Sequence, residues 1–138
     1  METPTSMSLW ARTQLQARED NEHVILADCK TQANVFSSQM AYYNSTVDST
    51  PEDVATVKTN PGQTALWFGQ TTTGLFTTTG TTFTAVLNGT AEDGDLVGTG
   101  DNGYGSFYCY QRFYQDQYLY GNLTCNMVVD CNHVPPGQ

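Results

Sequence analysis

The chain has 138 residues, and its 14 acidic side chains against five lysines and arginines give a formal net charge of -9 at pH 7. A chain of this length forms one domain with a sizeable core. Nucleic-acid binding needs clustered Lys and Arg to neutralise phosphates, so the composition excludes a nucleic-acid partner, and the same deficit argues against an anionic membrane surface.

The first residues carry no pattern of a folded element. Residues 1–21 are polar and unpatterned, and we expect a flexible leader or the remnant of a pro-segment, followed by one β domain over 22–134 and a tail over 135–138. The apolar run 24–27 is too short for a signal peptide, and no stretch is long enough to insert into a membrane.

The segment before residue 60 predicts two strands and one helix. Residues 24–29 suit a first strand. Residues 31–43 fit either a helical face or a strand, and we favour the strand. A short helix is expected over 51–57, because Ser49 and Thr50 offer an N-cap, Pro51 suits the first turn, and acidic residues follow beside the helix dipole.

From Gln63 onward the pattern is that of strands punctuated by glycine. The segments 65–68, 75–76 and 81–87 are strand-like, and the last alternates apolar and polar residues. Nine threonines lie within 71–84, and because Thr is β-branched we place them at solvent-facing strand positions. The fold class is therefore all-β, a single small barrel or sandwich with one short helix, stabilised by disulfides.

Acidic residues cluster in two short segments, 92–95 and 101–103. Asp93-Gly94 and Asn102-Gly103 are typical of hairpin turns. A calcium site is the alternative, with oxygen ligands from Glu92, Asp93, Asp95 and Asp101, but the spacing departs from that of an EF-hand loop. We favour turns and expect no metal.

Six of the eight tyrosines lie within 104–120, which predicts strands over 104–114 and 118–129. Phe107, Cys109 and Phe113 share one face, which we expect to point into the core, and alternate residues share the other. Exposed aromatic rings stack on sugars or anchor protein partners. The candidate binding residues are Trp67, Tyr108, Tyr110, Tyr114, Tyr118 and Tyr120, and the alternative is that these aromatic residues belong to the core of the barrel.

The even number of cysteines suits two disulfides and an extracellular location. Three pairings are possible, and we favour the nested one, Cys29–Cys131 with Cys109–Cys125. Three N-x-[ST] triplets predict glycosylation on surface turns if the chain is secreted. Their acceptors are Asn44, Asn88 and Asn122.

No pattern of residues identifies a reaction. His23 and His133 would approach each other if Cys29 and Cys131 were joined, and two histidines can perform acid–base chemistry. The sequence lacks a nucleophile elbow, a zinc-protease motif and a P-loop. We therefore predict no catalytic residues, no cofactor and no enzymatic activity.

The segment Ala27-Asp28-Cys29, the Thr/Gly-rich middle, Gly103-Tyr104-Gly105 and the three later cysteines resemble small secreted cysteine-containing proteins of filamentous fungi. Among these the chain is similar to the hypersensitive-response-inducing elicitors of plant pathogens, over most of residues 28–133. The resemblance implies a compact β-barrel that acts outside the fungus and is perceived by plant cells.

From this resemblance we expect a secreted, monomeric effector that binds a plant or cell-wall surface component, either protein or glycan. A carbohydrate-binding module with an aromatic platform is the alternative, and a small secreted hydrolase or nuclease is the third possibility.

Overall fold

The computed structural model describes residues 22–44, 47, 51–90, 92–112, 117–120 and 123–137, with the backbone alone for 117–120. These residues form an all-β domain, as the sequence predicts, and contain no helix. The strands are β1 (His23–Lys30), β2 (Phe36–Tyr43), β3 (Asp53–Thr56), β4 (Thr71–Phe76), β5 (Thr81–Leu87), β6 (Leu96–Asp101), β7 (Ser106–Gln111), β8 (Gln117–Tyr120) and β9 (Leu123–Asn132).

Eight of these strands form a nearly closed antiparallel barrel. The hydrogen-bonded order is β3-β2-β1-β9-β7-β6-β5-β4, and β8 pairs with β9 off this path. The first strand and the last are therefore neighbours, in a register that joins Val24 to Cys131 and Cys29 to Cys125. The two ends of the path, β3 and β4, lie against each other without a hydrogen-bonded ladder, and we call this gap the seam.

Inward-facing side chains fill the barrel. Along β5 the residues Phe83, Ala85 and Leu87 are buried and alternate with more exposed ones, which confirms the predicted strand over 81–87. The ring of Phe83 meets that of Phe107 edge to face, with centroids 5.2 Å apart. Such pairs stabilise a core by more than the burial of their surface area alone would give. A second buried cluster lies on β1, β2 and β9 and contains Ile25, Ala27, Cys29, Ala41, Tyr43 and Cys125.

The seam is closed by tight packing of side chains. Gly74 of β4 lies so near β2 and β3 that a Cβ there would be 2.7 Å from Met40 Sδ and 3.1 Å from Ala55 Cβ. The rings of Tyr42 and Phe76 also meet edge to face, with their centroids 6.2 Å apart. The barrel thus closes through packed side chains at the place where its backbone ladder is interrupted.

The predicted helix over 51–57 is wrong, because Asp53–Thr56 forms β3. Its burial alternates with period two, and its residues pair with Gln39–Tyr42 of β2. A helix of two turns is marginal on its own. The gain from pairing with β2 and from burying Ala55 therefore outweighs the local capping signals.

Two other segments differ from the predicted elements. Residues 65–68, expected as a strand, lie in the irregular connection between β3 and β4. The expected strand over 118–129 is divided between β8 and β9. The strand interpretation of 31–43 is confirmed by β2, and 24–29 lies within β1.

Both disulfides join residues that face each other on neighbouring strands. The pairs are Cys29–Cys125 between β1 and β9 and Cys109–Cys131 between β7 and β9. The nested pairing that we favoured is therefore wrong, because strand register and not chain order sets which cysteines meet. Both bonds fasten β9 to its neighbours, and they indicate an oxidising environment.

Candidate functional site

Trp67 lies inside one end of the barrel and not on its surface. Its side chain is 3% exposed and belongs to the main core. The connection 57–70 crosses this end, and we call it the plug. Its ring is covered, so of the two roles considered for Trp67, core residue or binding residue, the structure shows the first.

A half-buried network of hydrogen bonds holds the plug in place. Asp28 Oδ1 accepts hydrogen bonds from Trp67 Nε1 at 2.9 Å and from the Ser38 hydroxyl at 2.8 Å. The same hydroxyl oxygen accepts a bond from the Ala65 amide at 2.7 Å. The sequence analysis did not identify this role of Asp28. An acidic residue within the predicted strand 24–29 was the signal that could have indicated it.

The tyrosine segment adopts the predicted alternation. Phe107 and Cys109 are buried in the barrel, while Tyr108 and Tyr110 lie on the other face of β7. Phe113 and Tyr114 fall outside the described ranges, and for Tyr118 and Tyr120 the structure gives the strand position alone. The predicted platform can therefore be assessed at Tyr108 and Tyr110.

Tyr110 is covered by other parts of the chain. It is 9% exposed, its hydroxyl donates to the Val134 carbonyl, and the Arg112 guanidinium lies 5.9 Å from its ring centroid. Burial, with a smaller contribution from Tyr108, raises the pKa of Tyr110 despite the opposing effect of Arg112. Tyr110 therefore fastens the segment after β9 to β7, and of these two tyrosines Tyr108 is the half-buried one.

The two histidines close the opposite end of the barrel, each paired with a carboxylate. His133 Nε2 lies 2.9 Å from Glu22 Oε2, and His23 Nδ1 lies 2.9 Å from Asp130 Oδ1. Glu22 also accepts a hydrogen bond from the Tyr42 hydroxyl at 2.8 Å. These contacts tie the start of β1 to the end of β9, so they have a structural explanation that needs no reaction.

The acidic segments 92–95 and 101–103 form hairpin turns. Asp95 Oδ2 accepts the Glu92 amide at 3.3 Å, and Asp101 Oδ1 accepts the Gly103 amide at 2.6 Å. Gly94 and Gly103 have the positive φ angles that such turns require. In the described ranges no three His, Cys, Asp or Glu residues are grouped as metal ligands.

A groove of about 410 Å³ opens between the plug and β4, next to the seam. Among the described residues that line it, Lys58 is the one charged residue, and Leu66 is 80% exposed. The lining residues are Val57, Lys58, Thr59, Asn60, Gln63, Thr64, Ala65, Leu66, Gln70, Thr71, Thr72 and Thr73. The sequence analysis discussed residues 65–66 and 71–73 as strand positions but assigned none of the lining residues to a binding site, because the groove joins two segments that are separate in local patterns.

Two of the three predicted glycosylation acceptors are described. Asn44 follows β2 and Asn88 follows β5, and both are exposed as expected. The amide of Asn88 donates to the Val97 carbonyl at 2.7 Å, which fixes the chain between β5 and β6. Asn122 belongs to the part of the chain without a description.

Comparison of the chain with protein-family models, with curated proteins and with solved structures finds no match. Within the ranges described, no helix has the length and apolar character needed to cross a membrane.

Proposed function

We propose that this chain is a secreted fungal effector or elicitor-like protein that binds a plant or cell-wall surface component and catalyses no reaction. The observation that carries the proposal is the groove between the plug and β4. The barrel interior is filled by side chains such as Phe83, Phe107 and Met40, so a ligand is bound on the outer surface. A groove of this size falls within the usual range of ligand sites.

Two further features support an extracellular binding role. Both disulfides fasten β9 and are typical of exported proteins, which meet an oxidising environment. The tip of the β6–β7 hairpin presents Tyr104, which is 73% exposed, and tyrosine is common at binding hot spots. A monomer with this surface is the form that we propose to be active.

The same geometry gives less support to the two alternative functions, a carbohydrate-binding module and a hydrolase or nuclease. An aromatic carbohydrate platform would need Trp67 and Tyr110 to be exposed, but both are buried. A glycan would therefore need another surface. For a hydrolase or nuclease based on His23 and His133, the contacts of these side chains with Asp130 and Glu22 already have a structural role in joining β1 to β9.

Infiltration of the oxidised protein into leaves tests the proposal, beside the same protein reduced and alkylated. We expect local cell death or an oxidative burst from the oxidised form alone. Sedimentation with insoluble plant cell wall should in parallel deplete the oxidised protein from solution. If neither a plant response nor cell-wall binding occurs, the proposed function is wrong.

A further inference from the structure

The groove is lined with groups that suit a hydroxylated ligand. Eight of its twelve lining residues carry a hydroxyl or an amide, five threonines and three Asn or Gln side chains. Each of these groups can donate and accept hydrogen bonds, as sugar hydroxyls also do. They are Thr59, Thr64, Thr71, Thr72, Thr73, Asn60, Gln63 and Gln70.

The charge of the groove is opposite to that of the protein. The chain carries a formal charge of -9, yet the described residues that line the groove include Lys58 and no Asp or Glu. Lys58 is exposed, so its ammonium group is free to reach a ligand in the groove. A carboxylate on the ligand would meet the lysine there and be repelled by the acidic surface elsewhere.

We propose that the groove binds a linear oligosaccharide that carries carboxylates, that is, a glycan rich in uronic acid. This inference rests on the proposed function and names the class of ligand. Lys58 binds a carboxylate, the threonine and amide side chains bind the hydroxyls, and Leu66 packs on the apolar face of a sugar ring. The volume of about 410 Å³ lies near the lower limit for ligand sites, so the groove holds a short stretch of the glycan.

The walls of the groove are held by hydrogen bonds before any ligand arrives. On the plug side the Thr59 hydroxyl donates to the Gln63 carbonyl at 2.9 Å, and the Gln63 amide donates to the Asn60 carbonyl at 3.1 Å. On the other side Thr71 and Thr73 belong to β4, which pairs with β5. A site that is already ordered loses less conformational entropy on binding.

Calorimetric titration with a hexamer of galacturonic acid tests the inference, with the methyl-esterified hexamer and a neutral glucan hexamer beside it. We expect the acidic hexamer to bind most tightly. Lys58→Met keeps the apolar stem and removes the charge, and it should weaken binding of the acidic hexamer about fivefold, as loss of an exposed ion pair does. Its affinity for the esterified hexamer should stay unchanged, and Lys58→Arg should keep the preference for the acidic one.

Two more variants separate the groove from the rest of the surface. Lys30→Met removes one exposed charge outside the groove and serves as the matched control, with wild-type affinity expected. Thr71→Trp places a large ring in the groove at an exposed strand position, where aromatic residues are tolerated, and should abolish binding. Near-UV circular dichroism checks that each variant is folded.

The outcomes are distinct from those that test the proposed function. Equal affinity for the acidic and esterified hexamers overturns the proposed selectivity. Acidic-hexamer binding that survives both Lys58→Met and Thr71→Trp places the glycan elsewhere and overturns the site, while the effector proposal stands. If no hexamer binds but an extended plant peptide does, and Thr71→Trp blocks it, the groove binds a strand at the β4 edge and the glycan inference is wrong.

Discussion

Asp53 of β3 and Thr79, in the turn between β4 and β5, join the two sides of the seam. Asp53 Oδ2 accepts hydrogen bonds from both the amide and the hydroxyl of Thr79, each at 3.0 Å. The other carboxylate oxygen accepts the Val54 amide at 2.9 Å and the Thr78 amide at 3.3 Å. One ionised side chain therefore bridges the place where the backbone ladder is missing.

Because of these hydrogen bonds, part of the free energy of unfolding depends on pH. Burial of Asp53 opposes its ionisation, but the hydrogen bonds from Thr79, Val54 and Thr78 outweigh it and lower its pKa. A carboxyl whose pKa is lower in the folded state stabilises the fold at neutral pH, and that stabilisation is lost as the pH falls below about 4. We expect Asp53→Asn to be less stable at pH 7, and the difference from wild type to shrink between about pH 4 and pH 2.

Urea unfolding at several pH values measures this difference, with Glu92→Gln as a control at an exposed position. A constant gap between wild type and Asp53→Asn across the pH range would show that ionisation of Asp53 does not stabilise the seam.

Replacement of Trp67 separates its packing from its hydrogen bond. Trp67→Ala should lower the free energy of unfolding by about 3–5 kcal/mol, since it empties a core site. Trp67→Phe keeps most of the side-chain volume but removes the indole N–H that donates to Asp28. It should lower the free energy of unfolding by about 1–3 kcal/mol. Urea unfolding measures both, and wild-type stability of Trp67→Ala would contradict the buried position of Trp67.

The two disulfides should differ in how much they stabilise the fold. Their sequence separations are 96 residues for Cys29–Cys125 and 22 for Cys109–Cys131. Restriction of the unfolded chain contributes about 4.7 kcal/mol for the longer loop and about 3.4 kcal/mol for the shorter. Paired Cys→Ala replacements followed by urea unfolding should therefore destabilise more at Cys29 and Cys125.

Peptide mapping of the oxidised protein checks the pairing itself. Peptides that join Cys29 to Cys131 would contradict the register between β1 and β9.

Gly100 of β6 provides space for the ring of Phe83. A Cβ at Gly100 would lie 2.3 Å from Phe83 Cζ, so Gly100→Ala should destabilise by about 1–3 kcal/mol through overpacking. Gly89→Ala is the matched control, because a Cβ there has no neighbour within 4 Å. Thermal unfolding compares the two. Combining Gly100→Ala with Phe83→Leu should cost less than the sum of the single changes, since the contact is shared.

The sequence predicted those features that short segments determine. Residues 81–87 alternate clearly enough to give both the strand and its buried face, and Phe107 and Cys109 were assigned to the core for the same reason. Residues 51–57 carried strong local helix signals, but pairing with β2 decided their structure. The sequence left open whether Trp67 is a core or a binding residue, because its neighbours in the core and its partner Asp28 lie far away in the chain.

The candidate site could not be predicted in the same way. The groove forms where residues 57–66 of the plug meet residues 70–73, and neither segment has a motif. Disulfide pairing likewise depends on the register of β1, β7 and β9, which is a property of the assembled barrel.

The position of β9 has a consequence for biosynthesis. Each disulfide contains one cysteine of β9, Cys125 or Cys131. During synthesis Cys29 and Cys109 are made before Cys125 and Cys131. The one disulfide that they can form at that stage, Cys29–Cys109, is absent from the folded protein. Thiol–disulfide exchange can correct such a bond, although it is slow without a catalyst. Efficient maturation therefore requires either that oxidation wait for the end of synthesis or that a disulfide isomerase act on the new chain.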